Sequence, residues 1–382
     1  MKKIVIIGAN DFQNPLILKA KEMGFETHVF AWKENAIGEK TADFFYPISI
    51  VNKEEILEEC KKIKPNAIAT IASDLANVTV QYVAERLGLP CNSAETIEKT
   101  TNKVKMREAL SKAKIKCPSF AEISNKEELI NVQDFAFPLI VKPTDRSGSR
   151  GINKVQSFDM LENAIKESIE FSFDSKAIVE EFIEGEEFSC ECISYQGEHH
   201  CLAITKKYTT GAPHFIEVAH MQPACLSVKM MEKIKNEIFR ALDALGIENG
   251  ASHSEFKIDK QKQVNIIEIG SRMGGDCIGS DLVRLSTGYD YVRMVIETSM
   301  GIKPLIERES EPKTAFICFI FDSKDLEKLE ELKKDEFVQI EHISNIQILN
   351  QRIIDSSTRY GYFIATCSDQ ERAKEIVDRW EK

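Results

Sequence analysis

Two glutamates thirteen residues apart, Glu255 and Glu268, each stand inside a short apolar run: Glu255-Phe-Lys-Ile-Asp259 and Val264-Asn-Ile-Ile-Glu268-Ile-Gly-Ser-Arg272. The polar piece between them, Asp259-Lys-Gln-Lys-Gln263, has the composition of a turn, so the runs read as adjacent antiparallel strands with neighbouring carboxylates. Carboxylates held side by side repel unless a cation lies between them. A small set of hard oxygen ligands suits Mg²⁺ that also bridges substrate phosphates. Arg272 adds a planar, permanent charge fitted to phosphate or carboxylate. An isolated pair of this kind is more simply two solvated acids on a surface hairpin; what weighs against that here is the rest of the chain.

Lys142 closes the apolar run Leu139-Ile-Val-Lys142 and precedes the loop Ser147-Gly148-Ser149-Arg150-Gly151. A strand-end lysine above a loop rich in backbone N–H groups and hydroxyls can grip phosphate, and glycines let the loop approach the anion. The spacing is not that of a Walker loop, because no Gly-Lys-Ser/Thr follows. Val179-Glu180-Glu181-Phe182-Ile183-Glu-Gly185-Glu-Glu187 reads as an extended hinge, whose backbone can meet an adenine edge and whose acids can accept from ribose hydroxyls. Taken singly, Lys103 in Thr101-Asn-Lys-Val-Lys-Met-Arg107, and Lys206 and Lys207 after Leu202-Ala-Ile-Thr205, are solvated lysines. His253 and His199-His200 read as structural rather than catalytic.

The elements that must position these residues alternate at the start of the chain. Residues 3–7 are a β-branched run ending at Gly8, with helical spacing next in Leu16, Ala20 and Met23, closed by Gly24. A strand at Thr27–Ala31, a helix at Glu54–Lys62, a strand from Ala67 and a helix at Val78–Leu87 complete a βαβ pattern, hence a parallel sheet. A nicotinamide site is disfavoured: Gly8-Ala-Asn-Asp-Phe-Gln lacks Gly-x-Gly-x-x-Gly, and the second strand ends in Ala31-Trp32 with no acid for a ribose. Near residue 93 the texture changes. One charged helix is expected over Glu95–Ala113, strands over 139–143 and 178–183 with a helix at 159–172 between them, and an amphipathic helix over Met231–Leu245. Prolines and charges at 303–312 mark a boundary, followed by strands at 315–321 and 361–366 and a helix over 369–380. The expected division is therefore 1–92, 93–303 with a lid-like part at about 117–182, and 304–382.

The net charge of −11 argues against nucleic acid as the main partner. No apolar run reaches the ~18 residues of a membrane span, and the apolar start stops at Gly8, too short for a signal sequence. Ten cysteines without a Cys-x-x-Cys pair predict neither a metal cluster nor a redox dithiol, but a reduced, cytoplasmic chain. Cys91, Cys117, Cys201 and Cys318 read as small core residues.

Together and in this order, Lys103, Lys142 with its Ser/Gly loop, Glu180 to Glu187, Glu255, and Glu268 with Arg272 resemble the ATP-grasp superfamily. The resemblance covers nearly the whole chain. It takes in Gly8-Ala-Asn10 and Ser73-Asp-Leu-Ala-Asn77 near the start, and Thr358-Arg-Tyr-Gly-Tyr-Phe-Ile-Ala-Thr366 near the end. It implies a mixed α/β and α+β architecture: an N-terminal parallel-sheet domain, a two-lobed ATP-grasp fold and a small C-terminal α+β domain. It also implies that Lys103, Lys142 and Lys207 contact ATP phosphates beneath the lid loop Ser147, Gly148, Ser149 and Gly151. Glu180 would be the adenine-side acid, Phe182 and Ile183 the hinge, and Glu187 the ribose ligand. Glu255 and Glu268 would hold Mg²⁺ (or Mn²⁺), with Arg272 and Lys142 as the catalytic cations. Where many members carry an Asn as a further metal ligand, this chain has Gly270.

The implied reaction joins a carboxylate, amino-acid-like, to an amine through an acyl phosphate. The Ser-Gly-Ser-Arg-Gly loop is similar to the amino-acid ligase and carbamoyl-phosphate-synthetase-like branch. Glycinamide ribonucleotide synthetase is the alternative within enzymes, and an ATP-binding module without turnover the alternative outside them. Small-molecule substrates are the expected partners, with a homodimer as in many members. The segment Tyr208–His220, with His214, Glu217 and His220, reads as a substrate-facing loop, and Arg284 as a partner for a substrate carboxylate.

Overall fold

The computed structural model describes residues 1–34, 36–212, 215–349 and 352–380. The β-branched run Lys3–Ile7 (β1) is extended and buried over four of its five residues. With Glu26–Phe30 (β2), Phe44–Tyr46 (β3) and Ala67–Ala69 (β4) it forms a parallel sheet of order β3-β2-β1-β4. Helices Asn14–Glu22, Gly38–Thr41 and Lys53–Ile63 lie in the crossovers, and helix Asp74–Leu87 follows β4. Ser73 starts the last of these by accepting from the Ala76 N–H, and Gly88, at φ +67°, ends it.

The charged segment expected as one helix is two, Ala94–Thr101 and Lys103–Lys112. Asn102 is extended and its side chain accepts from the N–H groups of Val104 and Lys105. An Asn that finds these local donors competes with the helix and caps a new one instead. The break puts Lys103 on the first turn of the second helix, where its backbone N–H donates to the Thr144 carbonyl.

Phe120–Ile123 (β5), Leu139–Pro143 (β6), Asn153–Val155 (β7) and Ala177–Glu181 (β8) make an antiparallel sheet of order β5-β8-β6-β7. Helix Phe158–Phe171 packs on it through Leu161 and Ile165 against Leu139, Val141 and Val179.

The largest sheet has eight strands: Glu186–Tyr195 (β9), Glu198–Thr209 (β10), Glu217–Gln222 (β11), Gly250–Ile258 (β12), Val264–Gly270 (β13), Thr314–Phe319 (β14), Val338–Ile343 (β15) and Tyr362–Cys367 (β16). The order is β13-β12-β9-β10-β11-β14-β16-β15, every neighbouring pair antiparallel. Helix Val228–Leu245 covers one face through Ile234, Ile238 and Leu242. The boundary expected at 303–312 falls between helix Tyr291–Ser299 and β14, yet the sheet runs across it, because β14 pairs with β11.

Three cysteines come together that their spacing in the sequence did not pair. The β9–β10 hairpin lays Cys201 opposite Cys192, and residues two apart on β9 share a face, so the sulfurs of Cys190, Cys192 and Cys201 lie within 4.8 Å of one another. Sequence spacing missed this because Cys201 reaches the other two only across the hairpin. Cys318 is buried as expected, whereas Cys91, Cys117 and Cys201 are only partly buried. Among the described residues no helix is long and apolar enough to cross a membrane.

Candidate functional site

The β12–β13 register sets Glu255 directly opposite Glu268. Both line a cavity of about 1080 Å³, open mouth included, between the eight-stranded sheet and the β5–β8 sheet. Each carboxylate already faces cations. Glu268 lies 3.3 Å from the Lys103 ammonium. Glu255 is in close contact with Lys207 Nζ and 3.2 Å from His253 Nε2. Alternation along β10 separates the two lysines there. Lys207 turns inward and is buried, whereas Lys206 leaves by the other face and pairs with Glu186 at 2.9 Å. Burial alone would lower the Lys207 pKa, but Glu255, Glu187 at 3.5 Å and Glu217 at 3.9 Å outweigh it and raise it.

Lys142 projects from β6 to within 2.8 Å of Glu180 on β8, and Arg107 Nε lies 2.7 Å from the other oxygen of that carboxylate. All three side chains are buried. Burial would raise the Glu180 pKa, yet Arg107 and Lys142 hold it below the ordinary carboxylate value. The Glu180 side chain is thus engaged with two cations inside the wall. Arg107, to which the sequence reading attached no role, also donates to the Ile267 carbonyl on β13.

Phe182 and Ile183, just past β8, line the cavity. Lys154 sits 3.6 Å over the Phe182 ring and Lys257 4.7 Å from it. Lys257, two residues after Glu255 on the same face of β12, also reaches Glu187 at 3.8 Å; period-two alternation would have found it. Ser147, Gly148 and Ser149 form the cavity roof, with Gly148 and Ser149 at positive φ, and Lys103 Nζ donates to the neighbouring Arg146 carbonyl. Gly151, at φ +67°, closes the loop where a Cβ would lie 2.9 Å from Phe171.

Arg272 is partly buried and pairs with Asp74 at 2.8 Å, so the helix that follows the N-terminal sheet completes the wall. Asn77 of the same helix donates to the Ser271 carbonyl. Asp74 raises the Arg272 pKa against the effect of burial. Past Arg272 the space continues as a second chamber, bounded by Gly8 to Asn10, Trp32, Glu217, His220, Asp276 and Arg359. There Arg359 grips Asp276 with two nitrogens at 2.7 and 2.9 Å, and His220 lies 3.5 Å from the same carboxylate.

Three expectations change. Tyr208–His220 is not simply a loop: its ends belong to β10 and β11, because the register pairs Lys207 with His220 and Tyr208 with Ala219. His214 lies outside the described residues. His253 is a cavity residue, held between Glu191 and Glu255; these two carboxylates outweigh burial and raise its pKa to about 9. Arg284 stands exposed on the short helix Val283–Thr287 and borders neither chamber. Arg284→Ala should therefore leave kcat/KM within about two-fold, as for surface substitutions away from a site; steady-state kinetics checks this.

Two opposed carboxylates beside several cations form a hard-oxygen donor set that fits Mg²⁺ together with an anionic substrate. At Gly270, between Glu268 and Arg272, a Cβ would lie 2.9 Å from Asp74 Oδ1 and 3.2 Å from Arg272 Cζ. The Asp74–Arg272 pair occupies the room an Asn would need.

Comparison with known proteins identifies residues 135–280 as an ATP-grasp domain. Alanine–anticapsin ligase of Bacillus subtilis is 29% identical over 269 residues, covering 61% of this chain and 56% of that protein. The chain thus spans a little over half the length of the curated relatives it matches. The crystal structure of L-amino acid ligase from Bacillus licheniformis superposes with a TM-score of 0.82 at 25% identity, over 100% of this chain and 97% of the other. Phosphoribosylglycinamide synthetase from Anaerococcus prevotii shares the fold, with a TM-score of 0.77 at 23% identity over 99% and 97% of the two chains.

Proposed function

We propose that this chain, which belongs to the ATP-grasp superfamily, is an ATP- and Mg²⁺-dependent ligase. It would join an amino-acid-like carboxylate to an amine and release ADP and phosphate. The observation that carries the reading is the convergence of Glu255 and Glu268 with Lys103, Lys142, Lys207 and Arg272 on one cavity. The kinship with alanine–anticapsin ligase and L-amino acid ligase supports it.

In this reading Mg²⁺, held by Glu255 and Glu268, supplies charge neutralisation to the phosphates of ATP. Phosphoryl transfer asks the protein chiefly for positioning and electrostatics. Lys103, Lys142 and Lys207 meet the phosphate oxygens under the Ser147–Gly151 loop. Phe182 and Ile183 receive the base, and Glu187 the ribose. Arg272, fixed by Asp74, sits where the first chamber opens into the second, the place for the transferred phosphoryl group. A carboxylate oxygen from the second chamber attacks the γ-phosphorus and ADP leaves; the amine nitrogen then attacks the acyl carbon and phosphate leaves. Glu217 and His220 face the substrate side of this passage.

Gly270→Asn tests the departure at the second glutamate. Because the added side chain displaces the Asp74–Arg272 pair, the substitution should lower kcat on the order of 10–100-fold, the scale of a small misplacement at the reacting centre. Unchanged or higher turnover would show that Arg272 is not positioned by Asp74.

The reading itself is tested by ADP and phosphate release from Mg-ATP with amino acids supplied singly and in pairs. Release confined to particular pairs supports it. Nucleotide binding with silence across the array, but turnover with phosphoribosylamine plus glycine, would move the substrate assignment. Failure to bind Mg-ATP at all would overturn the whole proposal.

A further inference from the structure

The face of β9 opposite the cavity carries a group that the ligase reading leaves unused. Cys190 Sγ lies 3.6 Å from Cys192 Sγ and 3.4 Å from Cys201 Sγ, and all three are free thiols. Thiolates about 2.3 Å from one shared ion stand roughly 4 Å apart, so the trio is spaced to hold a single centre. No further His, Cys, Asp or Glu among the described residues joins the group. The surroundings are apolar: Ile204, Ile234, Ile238 and Phe256 pack in the same cluster beneath helix Val228–Leu245. Cys190 and Cys192 are fully buried, while Cys201 is partly exposed and gives a way in.

Net charge selects the ion. Three thiolates with a monovalent soft ion would leave two negative charges in this layer, and with a divalent ion one. Buried charge without a partner is strongly disfavoured. Zn²⁺ also asks for a fourth ligand that the group does not supply. A trivalent thiophilic centre leaves none. We propose that Cys190, Cys192 and Cys201 form a binding site for a trivalent thiophilic centre of the arsenic(III) class, bound as a neutral tris-thiolate. The exchange is balanced without redox change: As(OH)₃ and three thiols give As(SR)₃ and three waters. Three As–O bonds break, three As–S bonds form, and each thiol proton leaves with a hydroxide.

A filled site is felt on the other face. Glu191, between Cys190 and Cys192, accepts from the Gly274 N–H at 3.1 Å and holds His253, which in turn contacts Glu255. Occupation acts on the cavity through Glu191 and should weaken Mg-ATP binding, a consequence that rests on the nucleotide reading of the cavity.

The test is native mass spectrometry of the reduced full chain incubated with arsenite and desalted. The expected result is one arsenic per chain with loss of three hydrogens. Retention should fall at least ten-fold in Cys201→Ser and in Cys192→Ala, each checked for folding by circular dichroism, and stay unchanged in Cys225→Ser, whose thiol is exposed and outside the group. Absence of the adduct, an adduct that loses only two hydrogens, or undiminished binding in both variants would overturn the assignment. Unaltered Mg-ATP affinity in the arsenic-bound chain would overturn the coupling and leave the site intact.

Discussion

Glu268→Gln should abolish substrate-dependent ADP release, lowering kcat on the order of 10²–10³-fold, the loss that follows removal of one preorganised electrostatic contact at a reacting centre. The amide keeps the length of the side chain and can still accept from Lys103, 3.3 Å away. What disappears is the negative charge opposite Glu255. On the proposed reading, one of the two carboxylates that would hold Mg²⁺ is then lost, and the phosphates would meet Lys103, Lys142, Lys207 and Arg272 without that metal. Glu268 is partly exposed at the cavity mouth, so the fold should tolerate the change with little loss of thermal stability. Turnover within a few-fold of wild type, measured by coupled ADP release at saturating Mg-ATP, would remove Glu268 from the metal site.

Glu180→Gln should have the largest effect on stability, about 3–5 kcal/mol in chemical unfolding, because it strips a buried charge from two cations. Arg107 and Lys142 would face each other with no anion between them, and neither is exposed. The Lys142 pKa is already lowered by burial and would fall further, moving the amine toward its neutral form. Phosphate binding should weaken for the same reason, and KM for ATP should rise. Adding Lys142→Met to Glu180→Gln should recover part of the lost stability, since only the Arg107 charge then remains uncompensated. A change under ~1 kcal/mol in the single variant would mean that water or a shifted side chain replaces Glu180.

Much of this site can be traced along the chain because its parts obey local rules. Glu255 and Glu268 flank a polar turn, and antiparallel pairing through that turn brings them together. Lys142 ends an apolar strand and the Ser/Gly loop follows directly. The parallel start follows from alternating apolar runs and helical spacing. Other parts resist local reading. The single helix expected over 95–113 fails at Asn102, whose cap geometry overrides the charged periodicity. Arg284 looked like a carboxylate partner only by residue type, and the orientation of its short helix turns it to solvent.

The residues by themselves therefore determined the family resemblance, the order of the elements and the pairing of the two glutamates, because each depends on neighbours within a hairpin or on the period of one strand or helix. Only the tertiary structure decided that Asp74 fixes Arg272 across 198 positions, that Arg107 and Lys142 share Glu180, and that Arg359 reaches Asp276. It alone turned His253 into the cavity and gathered three cysteines on the far face. These contacts join segments whose separation along the chain carries no trace of their nearness. Sheet order and helix packing, which arise from burying apolar faces against one another, set them.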